Sequence, residues 1–216
     1  MTISKAHRYI SPGINWRLVS FALALLALTH CAQVPPKLLD VDYSEQLPRL
    51  QQLDNWQLEG KLGIRLPDDN GSARLSWRQH GSEFHLSLAG PLGTGRVVIE
   101  GSEQQVTLTQ SGEPPLIARD AETLLYQATG WQLPVGLLSY WVRGVPAPDH
   151  AVDQQSYTAA GALEQFQQAG WTLQIKRHQW VDGLLLPGYV RAERPVNTDD
   201  GIRVVLAIHQ WELDRD

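Results

Sequence analysis

The chain has 216 residues, of which 43% are hydrophobic and only 19% are charged, and its formal net charge at pH 7 is −5. The apolar fraction is large enough for a sizeable core, which argues against an intrinsically disordered chain. The acidic balance argues against a nucleic-acid-binding protein, because such proteins present basic patches to the phosphate backbone.

The first thirty residues have the pattern of a secretory signal peptide. Lys5, Arg8 and Arg17 make the start basic, and an apolar run over residues 18–28 follows. The run is shorter than the roughly 20 residues that span a bilayer. A signal peptide over residues 1–30 is therefore predicted in preference to a transmembrane anchor or a buried helix. Its removal changes the formal net charge from −5 to −8.

Cys31 is the single cysteine of the sequence and stands at the end of the apolar run, in the stretch LTHC. One cysteine cannot form an intrachain disulfide, so its thiol needs another explanation. The stretch resembles a bacterial lipobox, in which a signal peptidase cuts before a cysteine that carries a diacylglycerol. His30 stands where that pattern usually has Gly, Ala or Ser, and Ala32 replaces the Asp that retains lipoproteins in the inner membrane. We therefore expect a lipid on Cys31 and attachment to the outer membrane on its periplasmic face.

Residues 31–47 are predicted to be the lipidated cysteine and an extended tether, because Pro35 and Pro36 favour extended chain. A short helix is expected around Pro48 to Leu53, at the start of a single folded domain over residues 48–216. The acidic domain is not attracted to anionic lipid headgroups. The acyl anchor must therefore hold it at the membrane.

The first part of this domain is predicted to be a meander of five antiparallel strands. Apolar and polar residues alternate from Trp56 onward, as they do in strands with one buried face. Asn70-Gly71 is typical of a hairpin turn. The alternating stretches cover residues 56–65, 72–79, 83–88, 96–100 and 105–110.

Two predicted helices interrupt the strands. Asp120 is suited to the N-cap of the first helix and Gly130 to its end, while Pro134 is suited to the first position of the second helix and Gly144 follows its end. Strand patterns resume over residues 161–168, 170–180, 187–194 and 201–211. Ten or so strands predict one curved sheet, since a sheet of this size tends to curl, with the helices over its open side. The pattern leaves open whether the helices close a filled α+β core or leave an apolar space.

The sequence lacks the motifs of the common catalytic and metal sites. The seven histidines do not have the spacing of a zinc site, and a Gly-x-Ser-x-Gly motif is absent. The glycines of GPLGTG, residues 90–95, match neither a P-loop nor a dinucleotide-binding fingerprint. We therefore predict no enzymatic activity, no metal and no cofactor.

The same predicted loop has a leucine, Leu92, at its tip. Turns favour Gly, Pro, Asn, Asp and Ser, which fix or tolerate unusual backbone angles, and Leu92 does none of this. Single exposed leucines are nevertheless common on protein surfaces. The loop alone does not decide between an ordinary exposed residue and a functional one.

Several motifs occur in one order and together resemble the LolB family of outer-membrane lipoproteins. They are SWRQHG (76–81), LAGPLG (88–93), RDAETLL (119–125), GWQLPVGLLSYWVRGVP (130–146) and IHQW (208–211). The resemblance covers essentially the whole chain after the tether. It implies an open, incomplete antiparallel β-barrel of about ten or eleven strands, mainly β, with a helical lid over an apolar cavity. The implied function is that of a monomer that accepts acylated client lipoproteins from the periplasmic carrier LolA and inserts them into outer-membrane lipid.

The resemblance also implies that Pro91, Leu92 and Gly93 form a protruding loop that delivers the client. Burial of one leucine stabilises by only about 1.5–3 kcal/mol, which suits a loop tip that dips into lipid rather than an anchor. The resemblance implies an acyl-chain cavity, and the strand and helix patterns predict that its lining is Leu58, Leu62, Trp77, Phe84, Leu86, Leu88, Leu138 and Trp141. The alternatives are a lipocalin-like binder of a hydrophobic small molecule and a structural lipoprotein with a filled core.

Overall fold

A large antiparallel sheet dominates the computed structural model, which describes residues 43–90, 95–102, 104–130, 132–195 and 201–214. These residues form three helices and thirteen strands. The helices are α1 (Tyr43–Gln51), α2 (Ala121–Thr129) and α3 (Val135–Trp141). The strands are β1 (Asn55–Arg65), β2 (Asn70–His80), β3 (Glu83–Ala89), β4 (Val97–Gly101), β5 (Val106–Gln110), β6 (Leu116–Ala118), β7 (Val152–Tyr157), β8 (Leu163–Gln168), β9 (Trp171–Lys176), β10 (Gln179–Val181), β11 (Leu184–Leu186), β12 (Tyr189–Pro195) and β13 (Gly201–Leu213).

Eleven of these strands form one sheet in the order β6-β5-β4-β3-β2-β1-β13-β12-β9-β8-β7, and β10 pairs with β11 alone. Strands β6 and β7 are the two edges, and within the described residues they do not pair with each other. The sheet is therefore open. The predicted mainly β fold with an incomplete antiparallel sheet is confirmed.

Strand β1 joins the two halves of the sheet, because it pairs along its length with both β2 and β13. Leu58, for example, lies opposite Trp77 on one side and Trp211 on the other. The register with β13 shifts next to Gly60, where a Cβ atom would lie only 2.3 Å from the carbonyl oxygen of Ala207. The glycine thus permits a backbone approach that any side chain would prevent.

Helices α2 and α3 are called the lid helices; α2 packs against β5, β6 and α3. The side chain of Asp120 accepts a hydrogen bond from the backbone N–H of Thr123 at 2.7 Å, and Gly130 ends α2 with a φ of 74°. Both caps are as predicted. Pro134 occupies the N-cap of α3 rather than its first helical position.

Helix α1 begins earlier than predicted. The expected helix ran from Pro48 to Leu53, and residues 43–47 were assigned to the extended tether. In the structure these residues are the first half of α1, and Tyr43 is buried, with its hydroxyl donating a hydrogen bond to the carbonyl oxygen of Gly144. Tyr43 and Gly144 are 101 residues apart in sequence. Their hydrogen bond fixes the start of the helix, and a local sequence pattern cannot predict it. The signal peptide at 1–30 and the rest of the tether lie outside the described residues and stay predictions.

One predicted strand is divided in two. The strand expected over residues 170–180 ends as β9 at Lys176, and β10 begins at Gln179. Between them Arg177 adopts a φ of 55°, in the left-handed region. A strand cannot continue through this conformation, so the chain leaves the main sheet and forms the β10–β11 hairpin.

The buried tryptophans divide into two groups. Trp56 contacts Trp77 and Trp211, with ring centroids 5.3 and 5.5 Å apart. Trp141 of α3 packs against Trp171 of β9, with centroids 6.2 Å apart. Aromatic pairs at these distances add to the stabilisation from burial. They tie the lid and both halves of the sheet into one core.

Candidate functional site

An apolar cavity of about 40 Å³, the central cavity, lies between the sheet and the lid helices. The sheet contributes Leu62, Ile64, Leu75, Trp77, Leu86, Leu88, Ile99, Val204 and Leu206. The lid contributes Leu125, Val135 and Leu138, with Leu133 from the connection before α3. Only apolar and aromatic side chains line this cavity, so it suits hydrocarbon.

Five of the eight residues predicted for an acyl-chain cavity line the central cavity. They are Leu62, Trp77, Leu86, Leu88 and Leu138. Alternation along the strands identified them, because neighbours two apart share a face of the sheet. Their role in binding acyl chains stays a prediction.

The other three predicted residues lie elsewhere. Leu58 is fully buried between the two tryptophans on its neighbouring strands and does not line the central cavity. Trp141 is also fully buried, and its indole N–H donates to the side-chain carbonyl of Gln168 at 2.8 Å. Phe84 lines a different cavity, described below. Leu58 and Trp141 are thus core residues rather than cavity residues.

Sequence reasoning missed several residues of the central cavity. Ile64 and Leu75 continue the alternating faces that contain Leu62 and Trp77, so the same pattern could have identified them. Val204 and Leu206 come from β13, which pairs with β1 across more than 130 residues of sequence. A single sequence does not reveal that pairing.

A second cavity of about 230 Å³, the loop-end cavity, continues from the central one. The two share Leu62, Ile64, Leu88 and Leu125. Gly90 and Gly95 also line the loop-end cavity, and they flank the sequence 91–94. The apolar space thus opens beside the predicted delivery loop. Its residues Pro91, Leu92 and Gly93 lie outside the described residues, as does Cys31.

A third cavity of about 370 Å³, the polar-end cavity, lies at the opposite end of the strands. It shares Trp77 and Val135 with the central cavity. Its other residues include Gln79, Phe84, Ser102, Arg119, Asp120, Glu122, Ser139 and Arg143. Charged side chains distinguish it from the central and loop-end cavities, which have none in their lining.

The three cavities form a row along the strand direction. On β2, Ala73 lines the loop-end cavity, Leu75 the central cavity, Trp77 both the central and the polar-end cavities, and Gln79 the polar-end cavity alone. These alternate residues share one face of the strand. The space under the lid therefore changes from apolar to polar along its length.

Two polar contacts hold the lid helices in place. The carboxylate of Glu122 in α2 accepts a hydrogen bond from the backbone N–H of Gly136 in α3, at 2.7 Å. The guanidinium of Arg143, which follows α3, donates to the carbonyl oxygens of Leu50, Gln51 and Leu53 at the end of α1. Together they join the three helices.

Arg143 is buried, and burial lowers the pKa of its guanidinium, while the nearby Tyr140 and Asp54 act in the opposite direction. The arginine stays protonated at neutral pH, since an ordinary guanidinium titrates far above it. Three carbonyl oxygens supply the acceptors that a buried cation requires. The cation is thus a structural tie.

In this conformation the lid is closed. The central cavity, at about 40 Å³, is much smaller than the loop-end and polar-end cavities, at about 230 and 370 Å³, so it is the narrowest part of the space under the lid. A hydrocarbon chain cannot occupy it unless the lid helices move away from the sheet.

The described residues contain no group of three or more His, Cys, Asp or Glu side chains placed to hold a metal ion. Within the same ranges, no helix combines the length and the apolar character needed to cross a membrane.

Comparisons with known proteins identify relatives over most of the chain. Residues 54–211 match the family model described as outer membrane lipoprotein LolB. The outer-membrane lipoprotein LolB of Cellvibrio japonicus is 39% identical over an alignment of 204 residues that covers 92% of this chain and 98% of that protein. The LolB of Nitrosococcus oceani is 33% identical over 93% of this chain and all of its own length.

Solved structures show the same fold at low sequence identity. A LolA superfamily protein from Nitrosomonas europaea has a TM-score of 0.52 and 9% identity, over 80% of this chain and 93% of that chain. A DUF1329 family protein from Desulfovibrio piger has a TM-score of 0.53 and 8% identity, over 80% and 91%. The family match and the relatives confirm the resemblance that the motifs predicted. They also confirm the prediction that the protein is not an enzyme, since LolB is a lipoprotein-binding and transport protein. This chain belongs to the family of outer-membrane lipoproteins LolB.

Proposed function

We propose that this protein accepts the acylated N-terminus of client lipoproteins between its sheet and lid helices and inserts the client into the outer membrane. The observation that carries the proposal is the wholly apolar lining of the central cavity, which continues into the largely apolar loop-end cavity. The cavities open beside Gly90 and Gly95, at the base of the predicted delivery loop.

The energetics explain why such a protein is needed. At about 0.8 kcal/mol per methylene, exposure of three acyl chains to water costs on the order of 35 kcal/mol. Free release from a membrane or a carrier is therefore too slow. Transfer must run from one apolar cavity to another, and the periplasmic carrier LolA is the proposed donor. The direction then follows from differences in affinity along the route.

Entry of the client requires the lid to open. In the closed conformation the apolar groups of the lid helices cover those of the sheet, so the empty protein exposes little apolar surface at this site. Bound acyl chains then make apolar contacts in place of those between the lid and the sheet. The binding energy of the client then offsets the separation of the lid from the sheet.

Leu92 is assigned to delivery and Cys31 to anchoring. The acyl group on Cys31 brings the protein to the membrane, and Leu92 at the loop tip then enters the lipid. Its contribution of about 1.5–3 kcal/mol is too small to anchor the protein but sufficient to hold the cavity mouth against the bilayer.

A transfer assay tests the proposal. Protein with Cys31 replaced is mixed with LolA that carries an acylated lipoprotein, and outer-membrane lipid vesicles are added. The native loop is compared with Leu92→Glu, and with Thr94→Glu as a matched control that adds the same charge beside it. We expect the native protein to take up and deliver the client, and Leu92→Glu to take it up and retain it.

The control separates two effects of the added carboxylate. If Thr94→Glu blocks delivery as strongly as Leu92→Glu, charge near the membrane explains the defect and Leu92 has no special role. If the native protein does not take the client from LolA, the transfer function is wrong. A lipocalin-like binder of small hydrophobic molecules then becomes the leading account.

A further inference from the structure

The polar-end cavity contains a buried hydrogen-bond donor without an acceptor. Trp77 is only 2% exposed, and its indole N–H has no partner among the described residues. Two other buried tryptophans differ, since Trp141 donates to Gln168 and Trp211 donates to the carbonyl oxygen of Pro187 at 2.9 Å. Buried donors are nearly always satisfied, so this exception requires an explanation.

Trp77 stands where the lining changes character. Its side chain lines both the central cavity, which is wholly apolar, and the polar-end cavity, which contains charged and hydroxyl groups. A ligand that fills both must be hydrocarbon on one side of Trp77 and polar on the other. It must also present an acceptor at the boundary.

Arg119 lies on the polar side of this boundary. It is exposed, lines the polar-end cavity and forms no ion pair with the described residues. Ser102 and Gln79 line the same cavity. These groups can hydrogen-bond the peptide that follows an acylated cysteine, whereas no such group lines the central cavity.

We infer that the polar-end cavity is the subsite for the ester-linked head of the client lipid, with the Trp77 indole N–H donating to an ester carbonyl oxygen. This inference rests on the proposed function. The ester carbonyls of a diacylglyceryl cysteine mark the point where acyl chains meet the polar head, which matches the position of Trp77. The bound chains then run through the central cavity toward the loop end.

The orientation of the bound lipid determines which part of it reaches the membrane first. The chain ends lie nearest Gly90 and Gly95, so they reach the membrane before the head does. The client therefore enters the bilayer with its acyl chains first. Its polar head and peptide follow last, and no charged group has to cross the apolar cavities.

The test compares two synthetic ligands that differ only at the carbonyl groups. One is a cysteinyl peptide with two palmitoyl esters on its glyceryl group, and the other is the corresponding dihexadecyl ether. We expect the native protein to bind the ester about tenfold more tightly than the ether. Trp77→Phe, which keeps an aromatic ring and removes the donor, should reduce this ratio to about one. Phe84→Leu, in the same cavity, should keep the ratio even if it weakens both ligands.

A spectroscopic measurement on the native protein does not depend on the folding of a variant. The indole N–H resonance of Trp77 should move downfield with the ester ligand and much less with the ether ligand. If the native protein binds both ligands equally and this resonance does not respond, the head subsite is wrong, while lipid uptake itself stands. If neither ligand binds, the proposed function has failed and this inference with it.

Discussion

Arg143 connects the end of the lid to the end of α1 through backbone carbonyl groups alone. Its guanidinium donates to the carbonyl oxygens of Leu50, Gln51 and Leu53. The guanidinium carbon also lies over the ring of Tyr140, 4.8 Å from the ring centroid. The last carbonyls of a helix have no partner within the helix. Arg143 supplies that partner from a segment more than 90 residues away.

Replacement of Arg143 should therefore be strongly destabilising. Arg143→Met leaves these carbonyls buried without donors, and we expect a loss of about 2–4 kcal/mol in the free energy of unfolding. Urea denaturation measures it. The matched control is Arg49→Met on the exposed face of α1, which should change stability by less than about 0.5 kcal/mol. Equal effects of the two variants would show that the carbonyl contacts contribute nothing.

His178 gives the domain a pH dependence of defined sign. Burial lowers the pKa of this imidazole below its ordinary value of 6.5, although Glu164 and a hydrogen bond at Leu163 act to raise it. The unfolded chain therefore binds a proton more tightly than the folded chain. Stability should fall as pH drops below about 6.5 and level off below the folded pKa, when both states are protonated.

Denaturation of the native protein and of His178→Gln between pH 8 and pH 5 tests this dependence. Glutamine cannot titrate, so the variant should lose less stability over that interval. Both proteins are compared with their own values at pH 8, where the histidine is neutral, which removes any constant effect of the substitution. Parallel curves would assign the acid sensitivity to other groups.

The hydrogen bond between Glu122 and Gly136 is the direct link between the two lid helices. Glu122 is half-buried, and its carboxylate meets the first turn of α3, where backbone N–H groups lack helical partners. Loss of this acceptor frees the start of α3 without changing the sheet. We therefore expect this hydrogen bond to oppose the opening of the lid in the proposed function.

Glu122→Ala should increase the frequency of lid opening more than it lowers the free energy of unfolding of the whole domain. We expect a local loss of about 1 kcal/mol, which corresponds to roughly fivefold faster amide exchange in residues 135–141. Hydrogen exchange with mass spectrometry measures it, and Glu113→Ala in an exposed turn is the control. Exchange in β1 and β13 should not change in either variant. A uniform increase over the whole domain would mean that α3 does not open separately.

The elements that the sequence predicted are those whose burial alternates locally. Strands β1, β2 and β9 alternate between more and less buried positions, and the pattern identified all three. Strand β7 did not stand out, because five of its six residues are exposed at the sheet edge. Strand β6 has only three residues and none is buried. Edge strands are held by backbone pairing, which leaves no mark on side-chain polarity.

The residues of the candidate site could likewise be predicted only where the alternation of their own strand identifies them. Leu62 and Leu86 follow from the alternation of their own strands. Leu58 shares that alternation but lies closer to the tryptophan group, where core packing takes the place of the cavity. The position along a strand at which a cavity begins depends on what the helices cover. A strand pattern contains no information about the helices.

How the domain faces the membrane depends on where the tether and the predicted delivery loop join it. Helix α1 leads into β1 at Asn55, and Gln51 and Leu53 line the polar-end cavity. Helix α1 has nine residues and is about 13 Å long, so the tether joins the domain within that distance of the polar end, whereas Gly90 and Gly95, which flank the predicted delivery loop, line the cavity at the opposite end. The proposed function brings both the lipid on Cys31 and Leu92 to one bilayer. The proposal therefore requires a tether long enough to reach along the sheet.

Its length fits that requirement. Eleven residues, 32–42, separate Cys31 from α1 and can span about 34 Å when extended. The eleven residues of β1 span about 36 Å. Deletion of residues 34–39 leaves a reach of about 16 Å, so that the anchored protein can no longer turn its loop end to the membrane that holds its lipid.

We therefore expect the lipidated protein with residues 34–39 deleted to accept client normally and to deliver it about tenfold more slowly to the bilayer that holds it. Replacement of the same six residues by glycine and serine keeps the length and should keep delivery. The unanchored deletion variant, with Cys31 replaced, should deliver to vesicles as well as its full-length counterpart, since no tether then restrains it. Impaired delivery by this unanchored variant would mean that the deletion damages the domain itself. Full delivery by the anchored deletion variant would place the membrane contact at the polar end, beside α1, and not at the loop of Leu92.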